Sequence, residues 1–236
     1  MTEISHSRRT FHRLALLGAG AGLVTAGTAA PAAARDRPRA PVGTPAQALA
    51  ALMAGNRRFV AGHARHPHQS LDDLREVALG QHPFAVLLGC ADSRVPPELL
   101  FDQGLGDIFD DRVAGNIVDD LLLGSMEYAV AEFAPPLVMV LGHERCGAVA
   151  ATLEVVEHGG TAPGHIGVIV EALRPIVAPF VHEPDAVERG VTANVRAQRD
   201  AILRRSAIVR AQVEAGRCAV VGARYDLDTG VVTLVR

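Results

Sequence analysis

The chain has 236 residues, 49% hydrophobic and 21% charged, the balance of a globular protein able to bury one sizeable core. A formal charge of −3, with no long basic run or aromatic-basic stripe, removes the electrostatic case for a nucleic-acid partner. All the basic residues are arginine, and the absence of lysine excludes Schiff-base chemistry and phosphate loops built on a lysine.

Residues 1–34 differ in kind from the rest. Ser7-Arg8-Arg9-Thr10-Phe11 precedes an Ala/Gly/Leu-rich apolar stretch from Leu14 to Ala30, and Ala32-Ala33-Ala34 supplies a small-residue site. Those are the parts of an export signal, and the paired arginines resemble a twin-arginine signal. The alternative, an uncleaved membrane anchor, is opposed by Gly18, Gly20, Gly22 and Gly27, which interrupt the stretch. The expectation is cleavage after Ala34, a periplasmic or extracellular location, and no stable membrane association afterwards. Residues 35–43 read as a Pro/Arg-rich linker, and residues 44–236 as one domain.

Thr44-Pro45 predicts a helix start, with Ala48, Leu49, Leu52, Met53, Phe59 and Val60 on recurring positions as far as about Gly62. Its apolar face suits either the chain's own core or a second subunit. Residues 84–88 and 137–141 are short unbroken apolar runs, each followed by glycine, as expected of strands covered on both faces in a parallel sheet. Residues 121–133 predict a helix closed by Pro135-Pro136, and residues 148–157 another ending at Gly159-Gly160. Residues 185–215 form a long helical region in one or two pieces. Residues 218–221 predict a strand, and Tyr225-Asp226-Leu227-Asp228-Thr229-Gly230 a turn into a last strand over 231–235. The fold class is therefore α/β: a mainly parallel central sheet with flanking helices, an N-terminal helical arm and an antiparallel C-terminal edge strand.

In such sheets, chemistry gathers beyond the carboxyl ends of the strands. Cys90-Ala91-Asp92-Ser93-Arg94 follows the first apolar run, and Gly142-His143-Glu144-Arg145-Cys146-Gly147 closes the second. Two thiolates and an imidazole are ligands that zinc favours, and His143-x-x-Cys146 spans one helical turn. Singly, a buried cysteine or a His-x-x-Cys means little. Their joint placement, beside Asp92 and Arg94, predicts one zinc site per chain. An odd count of three cysteines is a poor disulfide framework, and Cys218, without such company, is assigned to the core.

These residues resemble the β-class carbonic anhydrases. Cys90-Ala91-Asp92-Ser93-Arg94 matches that family's Cys-x-Asp-Ser-Arg motif, and Gly142 to Ala148 its Gly-His-x-x-Cys-Gly-Ala segment. Further matches run through Asn56-Arg57-Arg58-Phe59-Val60, Gln81-His82-Pro83, Phe101-Asp102-Gln103-Gly104, Arg112-Val113-Ala114-Gly115-Asn116 and Gly222-Ala223-Arg224-Tyr225-Asp226, so the resemblance covers residues 44–236. It implies zinc on Cys90, His143 and Cys146, with Asp92 either paired to Arg94 or turned in as a fourth ligand. It also implies hydroxide attack on carbon dioxide to give bicarbonate, with substrate contacts from Gln81 and the backbone N–H of Gly147, in a homodimer or larger homo-oligomer. The competing readings are Gln81 as a turn residue before Pro83 and Asp92–Arg94 as a purely structural pair. At the level of function they are hydrolysis of carbonyl sulfide or carbon disulfide, and a non-catalytic zinc or bicarbonate-binding protein.

Two features stand outside the pattern. Asp110-Asp111 replaces apolar residues usual in the family, and a strand buried on both faces would have to bury one carboxylate, so at least one should be exposed or paired with arginine. His63, His66 and His68 lie close together around Pro67. A second metal site or proton relay competes there with a solvated loop, the reading preferred because no cysteine or carboxylate is adjacent in sequence.

Overall fold

The computed structural model describes residues 42–236. The expected export signal, and all but the last two residues of the expected linker, lie outside the described residues. Thr44 caps helix α1 (Pro45–Val60) in a capping box with Gln47, as the Thr-Pro start predicts. Then follow α2 (Leu71–Val77), β1 (Ala85–Gly89), α3 (Pro97–Leu100), β2 (Ile108–Arg112), α4 (Asp120–Phe133) and β3 (Leu137–His143). The second half contains α5 (Gly147–His158), α6 (Ile166–Val177), α7 (Ala186–Arg205), α8 (Ala207–Glu214), β4 (Ala219–Tyr225) and β5 (Val232–Val235). The long helical region is in two pieces because Ser206 is extended and its hydroxyl caps α8 by accepting from Val209 N–H at 3.0 Å.

Three helices escape the sequence reading. α2 is only seven residues long and buries none of them although Leu71, Leu74 and Val77 recur at helical spacing, α3 is a single turn that begins at paired prolines, and α6 contains Pro175. Among the described residues no helix is long and apolar enough to cross a membrane.

The sheet order is β2-β1-β3-β4-β5, parallel except for β5, which pairs antiparallel with β4. From β1 the chain passes outward to β2, whereas from β3 it passes to β4 on the other side. The carboxyl ends of β1 and β3 therefore flank the point where the connections diverge, where an open parallel sheet leaves a crevice.

Alternate residues of the central strands enter opposite layers, and both layers are buried. Leu87, Leu137, Met139 and Leu141 pack with Ala48 and Leu52 of α1 and with Leu100 and Phe101. Val86, Leu88, Val138 and Val140 pack with Met126 and Val130 of α4 and with Val195, Ile202 and Val209. Because Ala48 and Leu52 are fully covered within the chain, α1 closes the chain's own core. α7 lies close on β3 and β4: a Cβ at Gly142 or Gly222 would come within 2.5 or 2.6 Å of the Val195 methyls.

Asn56, 2% exposed, ties α1 to two distant segments. Its amide nitrogen donates to the Leu100 and Gly230 carbonyls at 3.1 and 2.9 Å, and its oxygen accepts from Val232 N–H at 2.9 Å. Asn56→Ala would leave these buried backbone groups without partners, so the urea midpoint should fall by the equivalent of about 1–3 kcal/mol or more, with the denaturant slope unchanged.

β2 resolves the Asp110-Asp111 expectation. Asp110 is exposed, as required of at least one of the pair, whereas Asp111 is 4% exposed and faces α4. Ser125 Oγ donates to Asp111 Oδ1 at 2.6 Å, and Oδ2 has no hydrogen-bond partner. Burial, only partly offset by the Ser125 bond, raises the Asp111 pKa. The folded state thus holds a proton that the unfolded chain releases. That contribution to stability is complete below the ordinary carboxylate pKa and is lost as pH rises through the elevated value. Asp111→Asn should therefore become progressively more stable relative to the native chain as pH is raised from 4 to 8, read from urea midpoints across that range.

Candidate metal centre

The two strands at the crevice each deliver a ligand. Cys90 directly follows β1, His143 is the last residue of β3, and Gly89 lies level with Leu141 in the parallel register. Arg145, in the left-handed conformation at φ 49°, turns the chain sharply so that Cys146 returns as the residue capping α5. The donor atoms of Cys90, His143 and Cys146 all lie within 4.8 Å of one another, and all three residues are buried.

A metal fits this pocket on evidence internal to it. His143 Nδ1 faces the Glu144 carbonyl oxygen at 2.8 Å, which fixes the proton on Nδ1 and turns the lone pair of Nε2 inward. Nε2 is buried with no hydrogen-bond partner, beside two thiols. Without a cation the two sulfurs share their protons unequally. The hydrogen bond from Cys146 pulls the Cys90 thiol well below its ordinary range, against burial, while His143 and the Gly115 N–H pull the same way. The same hydrogen bond and burial push Cys146 up. Burial works against a charged His143, but the neighbouring Cys90 sulfur outweighs it and raises its pKa. Two sulfurs and one nitrogen converging in a buried pocket are donors that a thiophilic divalent cation binds, releasing the thiol protons.

Asp92 stands beside this cluster, its Oδ2 3.9 Å from His143 Nε2. Arg94 grips it with Nε on Oδ1 at 2.9 Å and Nη2 on Oδ2 at 2.6 Å, and the Arg94 backbone N–H adds a third bond to Oδ1 at 2.9 Å. The Arg94 side-chain bond holds the Asp92 carboxyl far below the usual carboxylate range. The carboxylate is thus charged, close to the ligands and engaged by Arg94 through both oxygens.

The loops are buttressed from behind. Arg112 spans two backbone carbonyls of the Cys90 loop, and Gly115 N–H reaches Cys90 Sγ at 3.4 Å. Asn194 of α7 donates to the Gly115 carbonyl at 2.8 Å and accepts from Gln198, which in turn accepts from Val118 N–H, a buried relay that anchors the 115–118 segment. On the other side, Glu144 accepts from Arg224 at 2.7 Å and from Leu227 N–H at 3.0 Å, while Glu188 accepts from Arg145 N–H at 2.9 Å.

The structure brings together Cys90, Asp92, Arg94, His143, Cys146 and Gly147, the exposed first residue of α5. It does not bring Gln81 to them. Gln81 is exposed before the amino end of β1, whereas Cys90 follows its carboxyl end, so the strand separates the two within one chain. Cys218 belongs to the core, and burial raises its thiol to about 11. His63 and His66 are exposed, but the solvated-loop expectation needs correcting for His68: its Nδ1 lies 3.1 Å from a carboxylate oxygen of buried Asp107, a partner 39 residues away that local sequence could not reveal. Gly115, Asn194, Glu188 and Arg224 are supports that carried no assigned role in the sequence reading, although Gly115 and Arg224 lie within its matched segments; Arg112, which the sequence offers as a partner for Asp110 or Asp111, donates to the Cys90 and Asp92 carbonyls.

Residues 85–232 match the carbonic anhydrase family. Carbonic anhydrase 2 of Mycobacterium tuberculosis is 42% identical over 193 residues, 80% of this chain and 92% of that protein. The carbonic anhydrase of Mycolicibacterium smegmatis is 41% identical over 198 residues, 82% and 95% of the two chains. Among solved structures, the β-carbonic anhydrase CafA of Aspergillus fumigatus has a TM-score of 0.61 at 30% identity over 79% of this chain and 89% of its own. A β-carbonic anhydrase of Sordaria macrospora has a TM-score of 0.63 at 25% identity over 77% and 93%. With the fold, the Cys-His-Cys cluster and these relatives agreeing over most of the described residues, the chain belongs to the β-class carbonic anhydrase family.

Proposed function

We propose that this chain catalyses the zinc-dependent, reversible hydration of carbon dioxide to bicarbonate and a proton. The observation that carries the reading is the buried Cys90/His143/Cys146 cluster, with the orphaned His143 Nε2 facing a carboxylate that Arg94 holds in place. Cys90, His143 and Cys146 would hold zinc, and Asp92 stands close enough to offer an oxygen as a fourth ligand. When bound, zinc supplies the Lewis acidity that makes hydroxide available near neutral pH.

The chain's own residues do the rest. Asp92 accepts the hydrogen bond of the attacking oxygen and so aims its lone pair at the carbon. Arg94, charged at every relevant pH, keeps that carboxylate ionised and would hold it back from a bound zinc. The backbone N–H of Gly147, at the positive start of α5, faces the negative charge that grows on the product oxygens. Water entering to replace bicarbonate gives up the surplus proton to buffer.

Gln81 cannot serve the site of its own chain, so its substrate role belongs to the site of a second copy, and a homo-oligomer is part of the proposal. The Sordaria macrospora relative is described as tetrameric. We also retain export through the twin-arginine route as the destination encoded by Arg8 and Arg9.

Stopped-flow carbon dioxide hydration across pH, on zinc-loaded protein, tests the activity. The native chain should be active, and Asp92→Ala should lower kcat/KM by about 100-fold or more while retaining zinc. A fully zinc-loaded native protein inactive at every pH overturns the enzyme reading and leaves a binding protein or a hydrolase of a carbon dioxide analogue. Cys146→Ser should lose zinc on dialysis and unfold at lower temperature than the native chain, because ligand binding and folding are linked. For export, a reporter carrying residues 1–40 should leave the cytoplasm, and replacing Arg8 and Arg9 by lysine should retain it there; unchanged export would remove the twin-arginine assignment.

A further inference from the structure

We propose that Arg112 is a positioning residue that presets the Cys90–Asp92 loop for metal. The proposal rests on the zinc reading above. β2 runs parallel to β1 with Arg112 level with Gly89, the residue before Cys90. The arginine stem passes close beside Gly89: a Cβ there would lie 3.9 Å from Arg112 Cγ, at ordinary contact distance. The guanidinium then bridges forward over the loop. Nε donates to the Cys90 carbonyl at 2.9 Å, and Nη2 donates to the Asp92 carbonyl at 2.7 Å.

One rigid planar group therefore holds the main chain of a metal ligand and of the carboxylate beside it. The two carbonyls are two residues apart, so the fork fixes the separation and tilt of their peptide planes together. Around it the loop is otherwise tied by Ala91 N–H on the Val113 carbonyl at 3.2 Å and by Val95 N–H on the same Asp92 carbonyl at 3.1 Å. Neither of those bonds orients Cys90 from its own carbonyl. Gly115, three residues beyond Arg112, supplies the N–H that meets Cys90 Sγ. The carboxyl end of β2 thus secures Cys90 at both its main chain and its sulfur.

Arg112→Met tests this, because methionine retains an apolar stem beside Gly89 and removes both donors. Zinc affinity is measured by competition with a chromophoric chelator, and the site is read independently from the cobalt(II) thiolate charge-transfer spectrum. Loss of an outer support of this kind should weaken zinc binding about 10–100-fold and alter the cobalt spectrum, with kcat reduced more than KM changes. Arg112→Lys, which keeps the charge but not the fork, should lie between. Arg196→Ala, which removes a guanidinium bonded to the Arg236 carbonyl instead, should leave affinity and spectrum unchanged.

Native affinity and spectrum in folded Arg112→Met overturn the proposal. If that variant does not fold, native affinity and spectrum in folded Arg112→Lys do the same, since the fork would then be dispensable. Absence of metal binding in the native chain would instead defeat the zinc reading itself.

Discussion

A parallel sheet cannot bring two ligands together along one strand; it needs two adjacent strands whose exits part company. β1 leaves for β2 and β3 leaves for β4, so the two carboxyl ends face a gap that no connection fills. Cys90 and His143 stand there because the register sets Gly89 beside Leu141, and the left-handed turn at Arg145 folds Cys146 back to complete the set. Move either strand by one residue and the cluster cannot close. The burial of both sheet faces is what forbids that move, since each slip would exchange residues between two filled layers.

The electrostatics follow from the same placement. Two sulfurs are held together beside a buried imidazole, where burial works against charge on each of them. A divalent cation offsets that penalty. Asp92 adds a third negative group at the rim, which would compete for that cation unless restrained. Arg94 provides the restraint with three hydrogen bonds, one of them from its own backbone. The fork geometry of Arg94 engages both carboxylate oxygens at once, which lysine could not do.

The sequence made some of this legible and hid the rest for identifiable reasons. Apolar runs at 84–88 and 137–141 announce central strands because burial on both faces leaves no alternation. Cys90 and His143–Cys146 stand out because glycine ends each run and polar residues begin abruptly. By contrast, α2 is short and buries no residue, and α6 is masked by its proline. Asn194 and Gln198 read as ordinary polar helix residues, yet the relay they form depends on partners about 80 residues away. Gln81 shows the opposite limit: a motif match identified the residue, but only the direction of β1 reveals that its own site is out of reach. Contacts made through folded geometry leave no local trace.

β2 shows how a costly residue and a useful one can share a cause. Successive residues of a strand face opposite sides, so Asp111 turns toward α4 while Asp110 and Arg112 turn the other way. Burying Asp111 with one oxygen unpartnered works against stability at neutral pH. An edge strand, however, is held by one neighbour only and is the one most able to slip. Slippage by one residue would drive the Arg112 guanidinium into the layer under α4 and expose Asp111 away from Ser125, so a charge would be buried anew while an existing hydrogen bond was lost. The Arg112 charge and the Ser125 bond to Asp111 thus both favour the correct register over its nearest competitor, even though burying Asp111 weakens the fold in isolation. The register so defended is the one that places Arg112 beside Gly89, within reach of the Cys90 carbonyl.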